Sequence, residues 1–299
     1  MTQPIGLVAR CCRRRSNEDV ISNESPARVR ALAMELKAAR EGANLRTRDA
    51  ARMIGTSAPT LSRTETAKRF ALATDVSALL AIYGVTGADR TRIMELAENL
   101  DAPHWLESGD HRPRLLPALK HFERRAIKIT QFSPALVPGL LQTPAYIRAL
   151  MRFANSDEQV REEWIAARLD RQAILNARLS PRYVAYLDEG MLRRPCGGSE
   201  VMTHQLQWLM GRDEQPHITV RIIPFKHGFY DSHGAFTLFE FRDDDPIVYI
   251  ESADAAGFLH ASESIARFRG FAGKLDRVAL GSSDSVDFLA RMVVDYGRS

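Results

Sequence analysis

The sequence predicts an all-α N-terminal domain of five helices holding a helix-turn-helix, followed by an α+β C-terminal domain with a small sheet. Three observations predict it. Residues 45–65, LRTRDAARMIGTSAPTLSRTE, read as two short helices around a central glycine. Basic charge gathers on the same stretch: residues 28–73 hold 10 Lys+Arg against 4 Asp+Glu, whereas residues 101–299 hold 25 against 26. Runs rich in Val, Ile, Phe and Tyr begin at Arg182 and mark strands.

A length of 299 residues fits about two domains of roughly 100–200 residues each. No apolar run approaches the ~20 residues of a membrane span, and the N-terminus lacks a secretory core. Cys11, Cys12 and Cys196 make neither a disulfide framework nor a zinc pattern. The expectation is a cytoplasmic protein with reduced thiols, no cofactor and no membrane contact.

Residues 1–26 lack periodicity and carry Arg13-Arg14-Arg15. They read as a flexible basic arm, either a disordered start or a source of extra phosphate or minor-groove contacts. The first helix spans about Arg28 to Arg40, with Val29, Leu32, Ala33 and Leu36 at helical spacing, and Gly42 ends it. In the helix-turn-helix, Gly55 supplies the positive φ of a sharp helix exit, Ser57 the N-cap and Pro59 a first-turn proline. Ala51, Ile54 and Leu61 face inward; Ala58, Thr60, Ser62 and Arg63 face outward. Two further helices, near Asp75–Tyr83 and Asp89–Leu100, complete a domain over residues 27–100.

A helix-turn-helix in a basic domain points to double-stranded DNA, with the second helix in the major groove; the alternative is an ordinary helical hairpin. Ala58, Pro59 and Thr60 would meet base edges, and Arg63 a guanine edge worth about 1–3 kcal/mol of discrimination or, alternatively, a phosphate. Thr47, Arg48, Arg52, Lys68 and Arg69 would position the domain on the backbone. Glu65 is expected to pair with a basic residue of its own domain. One such domain contacts few base pairs, so a homodimer on a two-fold site is expected.

Residues 101–115, with three prolines if Pro117 is counted, two histidines and Trp105, read as a linker to a domain over residues 116–299. Helices are expected near 116–126, 144–153, 157–179, 199–210, 260–274 and 282–296, and strands near 182–187, 218–224, 235–241 and 247–251. Pro138-Gly139 suits a type II turn, and Asp243-Asp244-Asp245-Pro246 a hairpin turn. On the long helical stretch near 157–179, Val160, Trp164, Ala167, Ile174 and Leu175 are the inner positions. Arg168, Arg171 and Gln172 adjoin them and could line a pocket for an acidic ligand or partner, or form an internal salt-bridge network. His227, Asp231 and His233 have the chemistry of metal ligands, but no fourth ligand is apparent, and they read as a Gly-rich connection between strands. Asp188, Glu189 and Glu251 offer carboxylates for acid/base work, against a helix cap and surface charges. No phosphate loop or nucleophile elbow is present, and the chain is not expected to be an enzyme.

With these pieces laid out, the chain resembles actinobacterial XRE-type helix-turn-helix regulators of the WhiJ-like, antitoxin-like kind. The resemblance runs from about residue 28 to 296. It rests on Gln131-Phe132-Ser133, LVPGLLQTPAYIRALM (136–151), RLDRQ (168–172), Leu187-Asp188-Glu189 with Leu192-Arg193-Arg194, His204-Gln205-Leu206 and VRIIPF (220–225). Gly234-Ala235-Phe236, Tyr249-Ile250-Glu251 and residues 282–289 complete it. It implies a phage-repressor-like N-terminal domain, transcriptional regulation, a C-terminal domain of uncharacterised activity and often a small partner protein encoded by an adjacent gene. The functional expectation is a DNA-binding regulator whose C-terminal domain dimerises or binds a partner or ligand; the alternative is an antitoxin-like protein that sequesters a small toxin. The sequence departs from the family at Ala50, at Arg46 (where a Ser or Thr cap is common, so that Asn44 or Thr47 would cap instead), at Phe70-Ala71, and at Ala67, where the glycine that stops the recognition helix is missing.

Overall fold

The computed structural model describes residues 26–98, 100–102, 104–109, 112–154 and 157–298. The expected basic arm, with Arg13–Arg15 and Cys11-Cys12, lies outside them apart from Pro26. Among the described residues, no helix is long and apolar enough to cross a membrane.

The N-terminal domain consists of α1 (Ala27–Gly42), α2 (Thr47–Met53), α3 (Ala58–Glu65), α4 (Ala73–Ile82) and α5 (Gly87–Leu96). Val29, Leu32 and Leu36 of α1 are buried, as helical spacing requires, with Ala51, Leu61, Val76, Leu80 and Ile93. The first four helices end alike. Asn44, Gly55, Ala67 and Gly84 take φ of 57°, 73°, 57° and 71°. The N–H of the following residue then returns to the helix: Leu45 to Arg40, Thr56 to Ala51, Lys68 to Arg63 and Val85 to Leu80, at 2.8–3.1 Å. This is the Schellman closure. Asn44 is therefore the stop of α1 and not a cap of α2, because a left-handed residue is needed there and Asn tolerates it best after Gly. Gly42 lies inside α1, and Arg46 holds the N-cap place of α2 without a side-chain bond. Ala67 makes the same stop despite its Cβ, so α3 ends where a glycine would have ended it.

The C-terminal region runs β1 (His104–Ser108), α6 (Arg112–Arg125), β2 (Lys128–Ser133), α7 (Pro144–Ala154), α8 (Glu158–Gln172), β3 (Arg182–Asp188), α9 (Glu189–Leu192) and α10 (Ser199–Asp213). Then follow β4 (Ile218–Ile223), β5 (Phe236–Glu240), β6 (Ile247–Glu251), β7 (Ala255–Leu259), α11 (Ser262–Val278) and α12 (Ser282–Gly297). The strands form one mixed sheet of seven, in the order β1-β7-β6-β5-β2-β3-β4. β3 is parallel to β2 and β4, and the other pairings are antiparallel. Side chains alternate between its faces with period two. Phe132, Val184, Tyr186, Leu238 and Val248 lie under α11. Ile129, Tyr183, Leu187, Phe239 and Phe258 face a core continuous with that of the N-terminal domain. The β4 edge is closed by polar groups: Val220 N–H donates to Asp213 at 2.8 Å and Ile222 N–H to Ser285 Oγ at 3.1 Å.

The sheet is larger than the four strands expected, because β1, β2 and β7 carry weak local signals. The stretch 101–115 read as a linker contains β1 and the start of α6, and Trp105 is 1% exposed. Gly257 of β7 permits this pairing, since a Cβ there would lie 2.2 Å from the Trp105 carbonyl oxygen. Pro138 and Gly139 form no type II turn; Gly139–Leu141 is a 3-10 turn closed by Leu141 N–H on the Pro138 carbonyl at 2.8 Å.

Helix α1 is docked on this sheet domain. Arg30 is buried, with its guanidinium 4.2 Å from the Phe241 ring centre and 5.1 Å from that of Phe122. It donates to the Asp245 carbonyl at 2.8 Å and lies 3.6 Å from Asp244, both in the expected hairpin turn between β5 and β6. Arg28 lies over Trp105 at 5.4 Å and pairs with Glu107 at 3.4 Å. Burial, opposed by Asp244, lowers the Arg30 pKa to about 10. At the same junction burial, then Arg125 and Arg30, lower the pKa of His121 to about 4.

Two predictions follow from these elements. The unfolded chain protonates His121 near its ordinary value of 6.5, whereas the folded chain resists until about 4. Stability is therefore whole above pH 6.5 and declines as pH falls to 4, by roughly 3 kcal/mol at most from this group. Thermal unfolding of H121F should show a correspondingly flatter pH profile over that window. Ala67→Gly, which removes a Cβ from the left-handed region, should raise stability by about 1 kcal/mol in urea unfolding.

Candidate nucleic-acid interface

The exposed side of α3 is a single helical stripe. Pro59, Ser62, Arg63 and Thr66 are exposed, at spacing i, i+3, i+4 and i+7, while Leu61, Thr64 and Glu65 are buried. Ser57 caps the helix: its Oγ accepts from Thr60 N–H at 3.2 Å, and its hydroxyl lies 2.8 Å from that of Thr60. Of the three residues expected at base edges, only Pro59 is exposed. Ala58 packs half-buried against the core, and Thr60 is half-buried with its hydroxyl engaged in the cap. Thr66 was not singled out from the sequence, although its place four residues after Ser62 was the available signal. Its hydroxyl donates to the Ser62 carbonyl at 2.8 Å and retains acceptor capacity.

Cations flank the stripe. Arg48 and Arg52 are exposed on α2, Lys68 is exposed and Arg69 half-buried after α3, and Thr47 is half-buried at the first turn of α2. Arg52 lies 3.7 Å from Asp49, an exposed pair of little energetic weight. Behind the stripe, Glu65 is paired as expected within its own domain. Arg40 Nε and Nη2 donate to the two Glu65 oxygens at 2.8 and 3.0 Å, and Arg40 Nη1 to the Leu45 carbonyl at 2.6 Å. The hydrogen bond to Glu65 raises the Arg40 pKa against the opposing effect of burial. Burial, then Glu65, pushes up the neighbouring Tyr83 hydroxyl. The geometry can present donors and a hydroxyl to a groove while holding the helix rigidly from behind.

In the C-terminal domain, three of the expected residues meet. Arg168, Arg171 and Glu251 line a cavity of about 210 Å³ together with Trp164 and Tyr249. Arg171 donates to both oxygens of buried Glu123, at 3.0 and 2.6 Å. Its burial opposes the charge, but Glu123 outweighs it and the pKa is raised. Arg168 Nη1 donates to Gln142 Oε1 at 2.9 Å, and Glu251 accepts from the Tyr249 hydroxyl at 3.2 Å. Gln172 instead clamps the 3-10 turn, with Nε2 on the Gly139 and Gln142 carbonyls at 2.9 and 2.8 Å. Glu189 is not in the cavity lining and is buried, not a surface charge; it accepts from Phe225 N–H at 2.7 Å and Arg193 Nε at 2.6 Å. Asp188 is the cap of α9, accepting from Gly190 N–H at 2.6 Å.

Trp164 and Ala167, expected as core positions, form the cavity wall, and Ile165 takes the buried place on α8. The helix rotates this way because its apolar contacts lie on α7, at Ile147 and Met151. Asp231 accepts from Lys274 Nζ and lies against His233 Nε2, each at 2.6 Å, while the His233 ring stacks on Phe271 at 4.2 Å. The Cys196 thiol is half-buried, and burial raises its pKa.

Comparison with known families gives two matches. A model described as a helix-turn-helix domain matches residues 31–93, and one described as a domain of unknown function (DUF5753) matches residues 116–291. No match was found among curated proteins. Since the second model covers more than half of the chain, the protein belongs to the DUF5753 family and carries a helix-turn-helix domain ahead of that region.

Proposed function

We propose that this protein is a sequence-specific, DNA-binding transcriptional regulator that works by binding and not by catalysis. The observation that carries the reading is the exposed stripe Pro59–Ser62–Arg63–Thr66 on a capped helix, with Arg48, Arg52 and Lys68 beside it. In this reading α2 crosses the phosphate backbone and α3 enters the major groove. Arg63 donates to a guanine edge, Ser62 and Thr66 add hydroxyl contacts, and the flanking cations set register. An eight-residue helix is only about 12 Å long, too short to select a site in a genome. The C-terminal domain is accordingly proposed to pair two copies on a two-fold operator and to receive the signal, a small partner protein or ligand. The structural employment of Asp188 and Glu189 supports binding over acid/base chemistry.

Gel-shift titration of the full chain on its own promoter against scrambled duplex tests this directly. Preference for the promoter is expected, and equal affinity for both would end the proposal. Arg63→Ala should weaken promoter binding by about 10- to 100-fold, from roughly 1–3 kcal/mol, with a much smaller loss on random DNA. Lys68→Ala should weaken both alike and lower the slope of log K against log salt by about 0.9.

A further inference from the structure

We infer that the cleft between helix α11 and the sheet corner formed by β2, β3 and β5 is a binding site for a small polar phosphate monoester, with Arg182 and Lys128 as ligands of its phosphate. The cleft lies on the sheet face opposite the core shared with the N-terminal domain. The inference goes beyond the regulatory reading and stands whether or not the chain reads DNA.

Strand register sets the charges in a row. Lys128 of β2 stands opposite Arg182 of β3 on one side and Glu240 of β5 on the other. Period two puts all three on the face that carries Phe132, Val184 and Leu238. Neighbouring strands lie about 4.8 Å apart, so two cations stand side by side, an arrangement that by itself costs stability. A third cation reaches in from α11: Lys128 Nζ and Arg269 Nη2 meet the two oxygens of Glu240, each at 3.0 Å. Burial would raise the Glu240 pKa, yet the hydrogen bonds from Lys128 and Arg269 hold it below its ordinary value. One carboxylate thus answers three cations. The Arg182 guanidinium is exposed and, among the described residues, meets no acceptor, so its donor fork is open. Lys128, with one bond to Glu240, also has donors to spare. A phosphate monoester carries a charge of about −2 near pH 7, which matches the excess.

The far end of the cleft is already balanced. Arg221 pairs with the Asp276 carboxylate and donates to the carbonyls of Asp276 and Ala279 at 3.0 Å and of Leu280 at 2.7 Å. The Tyr186 hydroxyl donates to Asp276 at 2.8 Å. The positive excess is therefore confined to the Lys128–Arg182 end. Between the two ends, Thr130 and Thr219 line a cleft of about 440 Å³, inside the ~300–1,000 Å³ range of small-molecule sites. Ala272 and Gly273 are the α11 residues over it, and a Cβ at Gly273 would meet nothing within 4 Å, so the helix stands clear of the sheet there. With the phosphate on Arg182 and Lys128, the remaining space suits a body of sugar size whose hydroxyls meet those of the two threonines.

Equilibrium dialysis of the full chain with ribose 5-phosphate, ribonate and ribose tests the site. The phosphate ester should bind saturably and about 10-fold more tightly than ribonate, by one charge-assisted hydrogen bond, with ribose weaker still. Arg182→Gln should lower ribose 5-phosphate affinity about 10-fold without lowering the thermal midpoint, because Arg182 supports no other side chain and its removal relieves Lys128. Gly273→Leu, which fills the cleft, should abolish binding. Arg277→Gln, an exposed charge change on α11 outside the lining, should leave binding intact. No saturable binding by the folded wild-type chain, equal affinity for the three probes, or equal losses in Arg182→Gln and Arg277→Gln would overturn the site. Displacement of bound ribose 5-phosphate by duplex DNA would assign these cations to a nucleic-acid backbone and overturn the small-molecule occupant.

Discussion

The ion pair between Arg40 and Glu65 is the constraint on which the arrangement of the N-terminal domain depends. It joins the last turn of α1 to the last turn of α3, and through the Leu45 carbonyl it also fixes the turn into α2. Both charges are buried, so their mutual attraction must offset a desolvation penalty of several kcal/mol per ion. What the pair supplies is geometry more than stability. Its two parallel hydrogen bonds allow one rotation of α3, and that rotation places Pro59, Ser62, Arg63 and Thr66 outward. Just beyond this pair, Ala67 takes the left-handed conformation that closes α3, as Asn44, Gly55 and Gly84 close α1, α2 and α4.

Helix α1 is shared between two cores. Leu32 and Leu36 pack within the N-terminal domain, while Arg28 and Arg30 lie on the aromatic side chains of the sheet domain. Arginine suits this position, since its weakly hydrated planar cation can be buried against rings and still meet the Asp245 carbonyl. Through these contacts α6 and the β5–β6 turn are seated directly against the helix that is tied to α3 by Arg40.

In the C-terminal domain, polar residues with catalytic potential are spent on architecture. Gln172 clamps a turn, Asp188 caps a helix, and Glu189 joins α9 to the backbone after β4. Arg168, Arg171 and Glu251 differ in that they border open space. A buried pair such as Arg171–Glu123 costs free energy to desolvate, which its two hydrogen bonds must offset.

The sequence by itself determined the features that local backbone chemistry dictates. Gly55, Ser57 and Pro59 specify a helix exit and entry within five residues, and the continuous apolar run Tyr183–Leu187 specifies a strand that is buried on both faces. Glu65 was legible as the partner of a basic residue of its own domain because cations outnumber acids in that stretch. Tertiary structure decided whatever needs a distant partner. HWLES becomes the strand β1 only because β7 approaches over Gly257, and AAGFL becomes β7 only between β1 and β6. The exposure of Thr66, the inward turn of Ala58 and the stop at Asn44 follow from how α3 and α1 are rotated against their neighbours. The cavity at Arg168 required α6, α8 and β6 to meet from positions spread over more than a hundred residues of sequence. Such encounters are set by packing of side chains across the fold, which no window of consecutive residues contains.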